Sequence, residues 1–385
     1  MFEFKNLFPR NMRPELKELF WSALIMNFTL AMVLIYEPIF LYKIGYSLAQ
    51  IMLFFLAVYF LYVLLNPIGA AYAARHGYEV SIFVSTIFLI FYYLCLFLLP
   101  QYHWLIFITP IAYGLQKAFY WPAYHADFAK FSSTKFRGRE VSLMTIIISL
   151  VFVLGPVGGG LLITFGGFKL LFIIASLLFL TSNIPLLITK EVFRPKAFPY
   201  LEVFKKMLAK KERNSFLAYL GFGEDLIFMV VWPIFISLII VSYFSIGLLI
   251  TLATLLTISI TFYLGKLADT KNKKKILQTG ASLNLLSWIL RIFLAMPLGV
   301  FFMDSMSKVS KNIIGIPLMA ITYKRARDHK ILSTTTFFES SLAIGKIIAC
   351  LIIYLFLIIV GQEGLAAYYF AFILAGGMSV LYALL

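Results

Sequence analysis

Apolar runs long enough to cross a lipid bilayer recur along this chain from about residue 19 onward, separated by short connections. That recurrence leaves few folds open. Crossing a hydrocarbon core of ~30 Å takes ~20 apolar residues wound as a helix, which satisfies its own backbone donors and acceptors. The runs fall at 19–42, 47–69, 79–99, 104–126, 141–164, 169–189, 214–238, 244–265, 275–295, 297–321, 333–360 and 364–385. Composition agrees, since 62% of the 385 residues are hydrophobic and 13% charged. Soluble domains carry roughly 45–50% apolar and about 25% charged residues. The expectation is an all-α integral membrane protein with about twelve transmembrane helices.

A formal net charge of +16 raises the question of nucleic acid, and its distribution answers it. Lys5, Arg10, Arg13 and Lys17 precede the first run; Lys130, Lys135, Arg137 and Arg139 sit in the fourth connection. The sixth connection holds Lys205, Lys206, Lys210 and Lys211 among others, the eighth Lys271 to Lys275, and the tenth Lys324, Arg325, Arg327 and Lys330. Odd-numbered connections hold little beyond Lys43 and Lys169, with Arg291 near a run end. Cations concentrated in alternate connections mark the cytoplasmic side. Both termini are therefore expected in the cytoplasm of a plasma (inner) membrane protein. The partners expected are the lipid bilayer and a small-molecule substrate, not nucleic acid, and the chain is expected to be monomeric.

The first seventeen residues contain charges of both signs and no small-residue cleavage site, so the first helix is expected to stay as an uncleaved anchor. Cys95 and Cys350 both fall inside apolar runs and read as small buried hydrophobes. His76, His103, His125 and His329 are scattered without metal-ligand spacing. With no phosphate-binding glycine loop, nucleophile elbow or converging catalytic set, an enzyme is not expected. Nor is a metal or cofactor, and an ion gradient, H+ by preference, is the expected energy source.

The chain divides near its middle: 1–189 holds six runs, 190–213 is a polar linker with a predicted surface helix from Pro199 to Arg213, and 214–385 holds six more. At an offset of about 195 residues Pro122 falls on Pro317, Gly69-Ala70 on the Gly265 region, and Lys117 within a residue of Lys311. In the eighth connection, Gly265-Lys266-Leu267-Ala268-Asp269 is followed by lysines that include Lys273. This resembles the loop signature of the major facilitator superfamily of transporters. Arg75 and Gly77 look like a worn first-half copy, with Ala74 where the family has aspartate. Gly114, Pro122 and Ala126-Asp127 are similar to the family's fourth helix, with Lys117 as the nearest cation to its missing arginine. Gly155-Pro156-Val157-Gly158-Gly159-Gly160 resembles the helix-bend motif of its proton-coupled exporters.

The resemblance implies two pseudo-symmetric six-helix bundles with substrate held between them near mid-membrane. It also implies a gate in which Asp269 meets Arg137 or Arg139 at the start of the fifth helix. The glycine–proline motif reads equally as a pivot and as ordinary close packing.

Charges inside apolar runs cost about 2.5–3.5 kcal/mol each at mid-bilayer, so they should face a cavity or a partner. The substrate or cavity candidates are Asn27, Glu37, Tyr113, Gln116, Lys117, Tyr120, Lys308, Lys311 and Lys346. Tyr113, Gln116, Lys117, Tyr120 and Tyr124 share one broad helical face. Asp304 and Lys308, four apart, can pair on one helix. Glu224, Asp225 and Glu339 are the proton-coupling candidates, and the adjacent Glu224 and Asp225 point about 100° apart. The predicted function is secondary active transport of a small organic solute by alternating access, coupled to protons; the exporter-like motif favours efflux (antiport), and the direction stays open. A facilitative or uptake carrier, a lipid flippase and a non-transporting sensor of the same fold stay open.

Overall fold

The computed structural model describes residues 14–131, 137–188, 195–268, 273–328, 330–361 and 364–385, and every regular element among them is helical. In chain order these are α1 (Pro14–Val33), α2 (Tyr36–Lys43), α3 (Leu48–His76), α4 (Tyr78–Leu98), α5 (Thr109–Phe131), α6 (Arg137–Thr181), α7 (Glu202–Leu208) and α8 (Arg213–Leu220). They continue with α9 (Gly223–Met229), α10 (Val231–Ile239), α11 (Tyr243–Ala268), α12 (Lys273–Leu290), α13 (Pro297–Asp328), α14 (Ile331–Val360) and α15 (Leu365–Ser379).

Local chemistry explains where these helices begin and end. Ser47 and Gln50 form a reciprocal capping box at the start of α3. Gly77, at φ +112°, stops α3 and lets α4 start at once. Gly167, at φ +68° and ψ −175°, breaks α6 into two helices, at the position expected for the connection between the fifth and sixth runs. The seventh run departs from expectation: instead of one helix over 214–238 it is α8, α9 and α10, interrupted at Gly221-Phe222 and at Val230. The predicted surface helix is also shorter, since Ala209 takes an extended backbone (φ −71°, ψ 126°) that ends α7 at Leu208.

Among the described residues, eight helical segments are long and apolar enough to cross a membrane. They include 148–187, which carries the Gly167 break, but not α5, α12 or α13. The reason is visible in the residues. α5 carries Gln116, Lys117, His125 and Asp127, while α13 carries Asp304, Lys308 and Lys311. A helix turned toward a polar interior need not be apolar all round.

α1, α3, α4, α5 and α6 pack against one another, as do α8, α9 and α11 to α15. Two long seams join these sets, α3 along α14 and α6 along α11, with α2 against α10 as a shorter contact. At the second seam Thr251 donates to the Val153 carbonyl at 2.5 Å. Tyr36 reaches in from α2, its hydroxyl 2.8 Å from the Pro156 carbonyl and 3.0 Å from that of Tyr243. The glycines of the helix-bend motif make this approach possible. A Cβ at Gly159 would come 2.1 Å from the Met32 carbonyl oxygen, and one at Gly160 2.6 Å from that of Tyr243. At the opposite end α7 packs against the start of α14, where Lys206 donates to Thr334 at 2.8 Å, and Tyr200 just before α7 donates to the Leu64 carbonyl of α3. Burial of the Lys206 ammonium lowers its pKa from the ordinary lysine value.

A charged, aromatic cavity between the two seams

A cavity of about 370 Å³ lies where α1, α3 and α5 face α9, α13 and α14. Its wall is mostly apolar, with Met26, Leu30, Leu318, Met319 and Leu342 among its residues, and a few polar groups converge on it. Asn27, Tyr113, Gln116 and Lys117 line it from the first set of helices; Asp225, Glu339 and Lys346 line it from the second.

Lys117 sits in the middle of α5 and is 7% exposed. Its ammonium lies 4.0 Å from the Tyr113 ring centroid and 5.5 Å from that of Tyr59. Ring quadrupoles partly replace its lost water. No described carboxylate forms an ion pair with it, although Glu37, Asp225 and Glu339 act on it through space.

Across the cavity the charges are paired. Asp225, in the first turn of α9, accepts from Lys311 of α13 at 2.9 Å and from Lys346 of α14 at 2.8 Å. Its neighbour Glu224 does not line the cavity. It is fully buried, takes the Trp288 indole N–H at 3.1 Å and the Tyr382 hydroxyl at 3.3 Å, and lies 3.4 Å from Lys311. The break before α9 places both acids, since it starts a fresh first turn at depth, where carboxylates suit the helix N-terminus.

Deeper in the same set, Lys308 pairs with Asp304 at 2.6 Å and donates to Thr254 at 2.8 Å. Asp304 also takes the Trp232 indole N–H at 3.2 Å. Between the two indoles lies Arg291, 1% exposed, its guanidinium carbon 3.6 Å from the Trp288 ring and 4.2 Å from the Trp232 ring, with one nitrogen 2.7 Å from Ser307. Sequence reasoning placed Arg291 at a run end and missed it. The signal was Trp288 one turn back on α12, a spacing that stacks an arginine on an indole.

His125 was also missed. It lines the cavity one turn beyond Trp121 and two beyond Lys117, so the i, i+4, i+8 series from Lys117 would have found it. Its Nε2 lies 2.8 Å from Glu339 and its Nδ1 2.7 Å from the Tyr323 hydroxyl. The other oxygen of Glu339 accepts from Tyr62 at 2.7 Å. A chain of four polar groups thus runs from α3 through α14 and α5 to α13.

The remaining sequence candidates lie elsewhere. Tyr120 is buried against Trp121 and Tyr124 and does not line the cavity, because the lining face of α5 runs through Trp121 and His125. Lys308 and Lys311 stand behind the wall in their ion pairs. Glu37 is buried among tyrosines, accepting from Tyr93 and, at 3.3 Å, from Tyr92. Arg75 is exposed at the end of α3. Of the gate candidates, Asp269 lies outside the described residues; Gly265 falls in the last turn of α11, Lys273 opens α12, and Arg137 opens α6 with Arg139 two residues on. No group of His, Cys, Asp and Glu among the described residues could hold a metal ion.

Comparison with known proteins adds one finding. The profile of the Major Facilitator Superfamily matches residues 19–349. No curated protein matches the chain.

Proposed function

The chain belongs to the Major Facilitator Superfamily, a family of multi-pass membrane transporters, and from that premise we propose that it moves a small amphipathic organic anion by alternating access, coupled to protons. The observation that carries this reading is the cavity itself. Walls from both sets of helices meet there, most of the surface is apolar, and of the two lysines that line it Lys346 is paired with Asp225 while Lys117 has no ion-pair partner among the described residues. An anionic group on Lys117 would remove the cost of a lone buried cation, while the body of the solute lies against methionine and leucine.

The twelve-pass, two-bundle arrangement is part of the same proposal. The eight apolar segments are joined by α5, α12 and α13, and 148–187 counts twice because Gly167 divides it. The basic connections then face the cytoplasm, and the Tyr36 contact is the outer closure between bundles. Efflux has no separate support: the glycines that motivated it are accounted for by close contact of α6 with α1 and α11. Protonation of Asp225 would cost it two ammonium partners, Lys311 and Lys346, so coupling at Asp225 is the less economical option.

Two measurements test the proposal. Cysteines at Lys206 and Val241 should label from opposite faces of the membrane; same-face labelling would break the topology. In proteoliposomes, a panel of monoanionic carboxylates and sulfonates should contain members that accumulate under an imposed pH gradient. Accumulation of none, or equal accumulation without a gradient, would remove proton coupling from the reading.

A further inference from the structure

The charges on the cavity wall and directly behind it balance one another. The second set of helices holds four cations, Arg291, Lys308, Lys311 and Lys346, against four acids, Glu224, Asp225, Asp304 and Glu339. In the first set, Lys117 and the buried Glu37 act on each other through space. With every carboxylate ionised and His125 neutral, these groups sum to zero. A monoanion bound at Lys117 would leave the interior with one negative charge, and moving an unbalanced charge through a bilayer is strongly disfavoured.

One group in the cavity is built to take the compensating proton. Neutral His125 needs a donor on one ring nitrogen and an acceptor on the other, while imidazolium needs two acceptors. Its partners serve both states without moving. Glu339 accepts from Nε2–H in either, and the Tyr323 hydroxyl, donor and acceptor at once, faces Nδ1 in either. Other neighbours leave this choice intact: Tyr62 is committed to Glu339, Trp121, Tyr124 and Phe338 offer only ring contacts, and Lys117 lies two turns away. Asp127 and Lys130 occupy the last turns of α5. Asp225, by contrast, would lose two ammonium partners on protonation.

We infer that His125 is the site of the coupling proton, and that this proton travels in the same direction as the solute's anionic group held at Lys117. The proton passes from water to Nδ1 of His125, which becomes imidazolium, and no covalent bond to the solute forms or breaks. The empty carrier and the carrier holding both anion and proton are then each neutral in the interior, and only these two reorient readily. Half-loaded forms carry one uncompensated charge and stay put. Strict coupling follows from electrostatics alone. The inference rests on the proposed anion transport, and its test is arranged to separate the two.

Wild type and His125→Gln are reconstituted with pyranine inside the vesicles and offered benzenesulfonate, benzoate and hexanoate, with protein-free vesicles as the control for weak-acid leak. Wild type should acidify the lumen as anion enters, one proton per anion. His125→Gln should still bind anion at Lys117, yet lose both net acidification and anion-for-anion exchange at least tenfold, because its anion-loaded form keeps the uncompensated charge. Lack of acidification by wild type with every anion would remove the proposed function itself. Undiminished acidification by His125→Gln, or a lumen that turns alkaline in wild type, would overturn this inference alone. Should the variant fold poorly, wild type in detergent offers a second readout. Trp121 stacks on His125 with ring centroids 5.7 Å apart, so an imidazolium there should quench it. The fluorescence difference between wild type and Trp121→Phe should fall in one single-proton step as pH is lowered. A flat difference between pH 4 and 9 would also overturn it.

Discussion

The two walls of the cavity handle charge in opposite ways. On the side of α9, α13 and α14, each lysine has a carboxylate within reach and two indole N–H groups hold the acids in turn. On the side of α1, α3 and α5, Lys117 has aromatic rings for company and Glu37 has tyrosine hydroxyls. The first arrangement is a lattice in which lysines and acids fix one another, with only the Nε and Nη1 of Arg291 and the amide nitrogen of Asn284 left without a hydrogen bond among its described buried nitrogens. The second leaves an ammonium whose full interaction with an anion has yet to be made. A wall that satisfies itself gives a fixed reference surface, and a wall that does not can still gain free energy from a ligand.

This contrast can be broken most directly at Asp225. Asp225→Asn leaves Lys311 and Lys346 without their shared carboxylate, and orphaning a buried pair costs about 3–5 kcal/mol. Thermal unfolding in detergent should show a large drop, partly restored in the double variant with Lys346→Gln. A wild-type melting temperature would mean that the lattice is not what holds the second wall.

Lys117→Ala is the mirror experiment. It should leave the melting temperature close to wild type or raise it, while the affinity for transported monoanions falls at least tenfold, or about 1.4 kcal/mol. Equal anion affinity in a well-folded variant would place the anionic group elsewhere.

A smaller effect is expected at the closure shared by both walls. Tyr36→Phe deletes a hydroxyl that has two carbonyl acceptors and one proton, a loss of about 0.5–1.5 kcal/mol. The ratio of conformations open and closed at this end should shift roughly two- to tenfold, readable as labelling of a cysteine at Asn27 from that side. Unchanged labelling would reduce Tyr36 to packing.

The least change belongs to Glu37→Gln. The amide oxygen still accepts from one tyrosine, so stability should fall by only about 1 kcal/mol, while the lost negative charge should let the anion-loaded carrier reorient without a proton and lower the proton-to-anion ratio. An unchanged ratio with intact folding would place Glu37 outside the charge balance.

Much of this organisation is legible in the residues. Apolar runs, glycine and proline punctuation and alternate basic connections mark the helices, and isolated charges in the runs mark the neighbourhood of the cavity. What is not legible is who meets whom. Lys311 and Lys346 lack same-helix partners, and nothing local shows that both close on Asp225, because that contact depends on how α9, α13 and α14 cross. The interruption before α9 is equally hidden, since Gly221-Phe222-Gly223 differs little from glycines inside intact helices. Tyr120 was misplaced for a simpler reason: a broad face chosen by polarity is wider than the strip a cavity sees. His125 sat on the correct strip but near a helix end, where histidine usually meets solvent.

The polar character of α5 and α13 reaches beyond the finished molecule to its biogenesis. Each ionisable residue at mid-depth opposes insertion by about 2.5–3.5 kcal/mol, and α13 carries Asp304, Lys308 and Lys311 in two turns. Such a segment is poorly suited to leave the translocon alone. Asp304 finds the Trp232 indole on α10, Lys308 finds Thr254 on α11, and Lys311 finds Asp225 on α9. All three partners are synthesised earlier, so the nascent chain already holds a receptive surface when α13 emerges. The order of the genes' message thus doubles as an order of assembly, in which helices able to enter lipid unaided come first and build the polar berth for one that cannot.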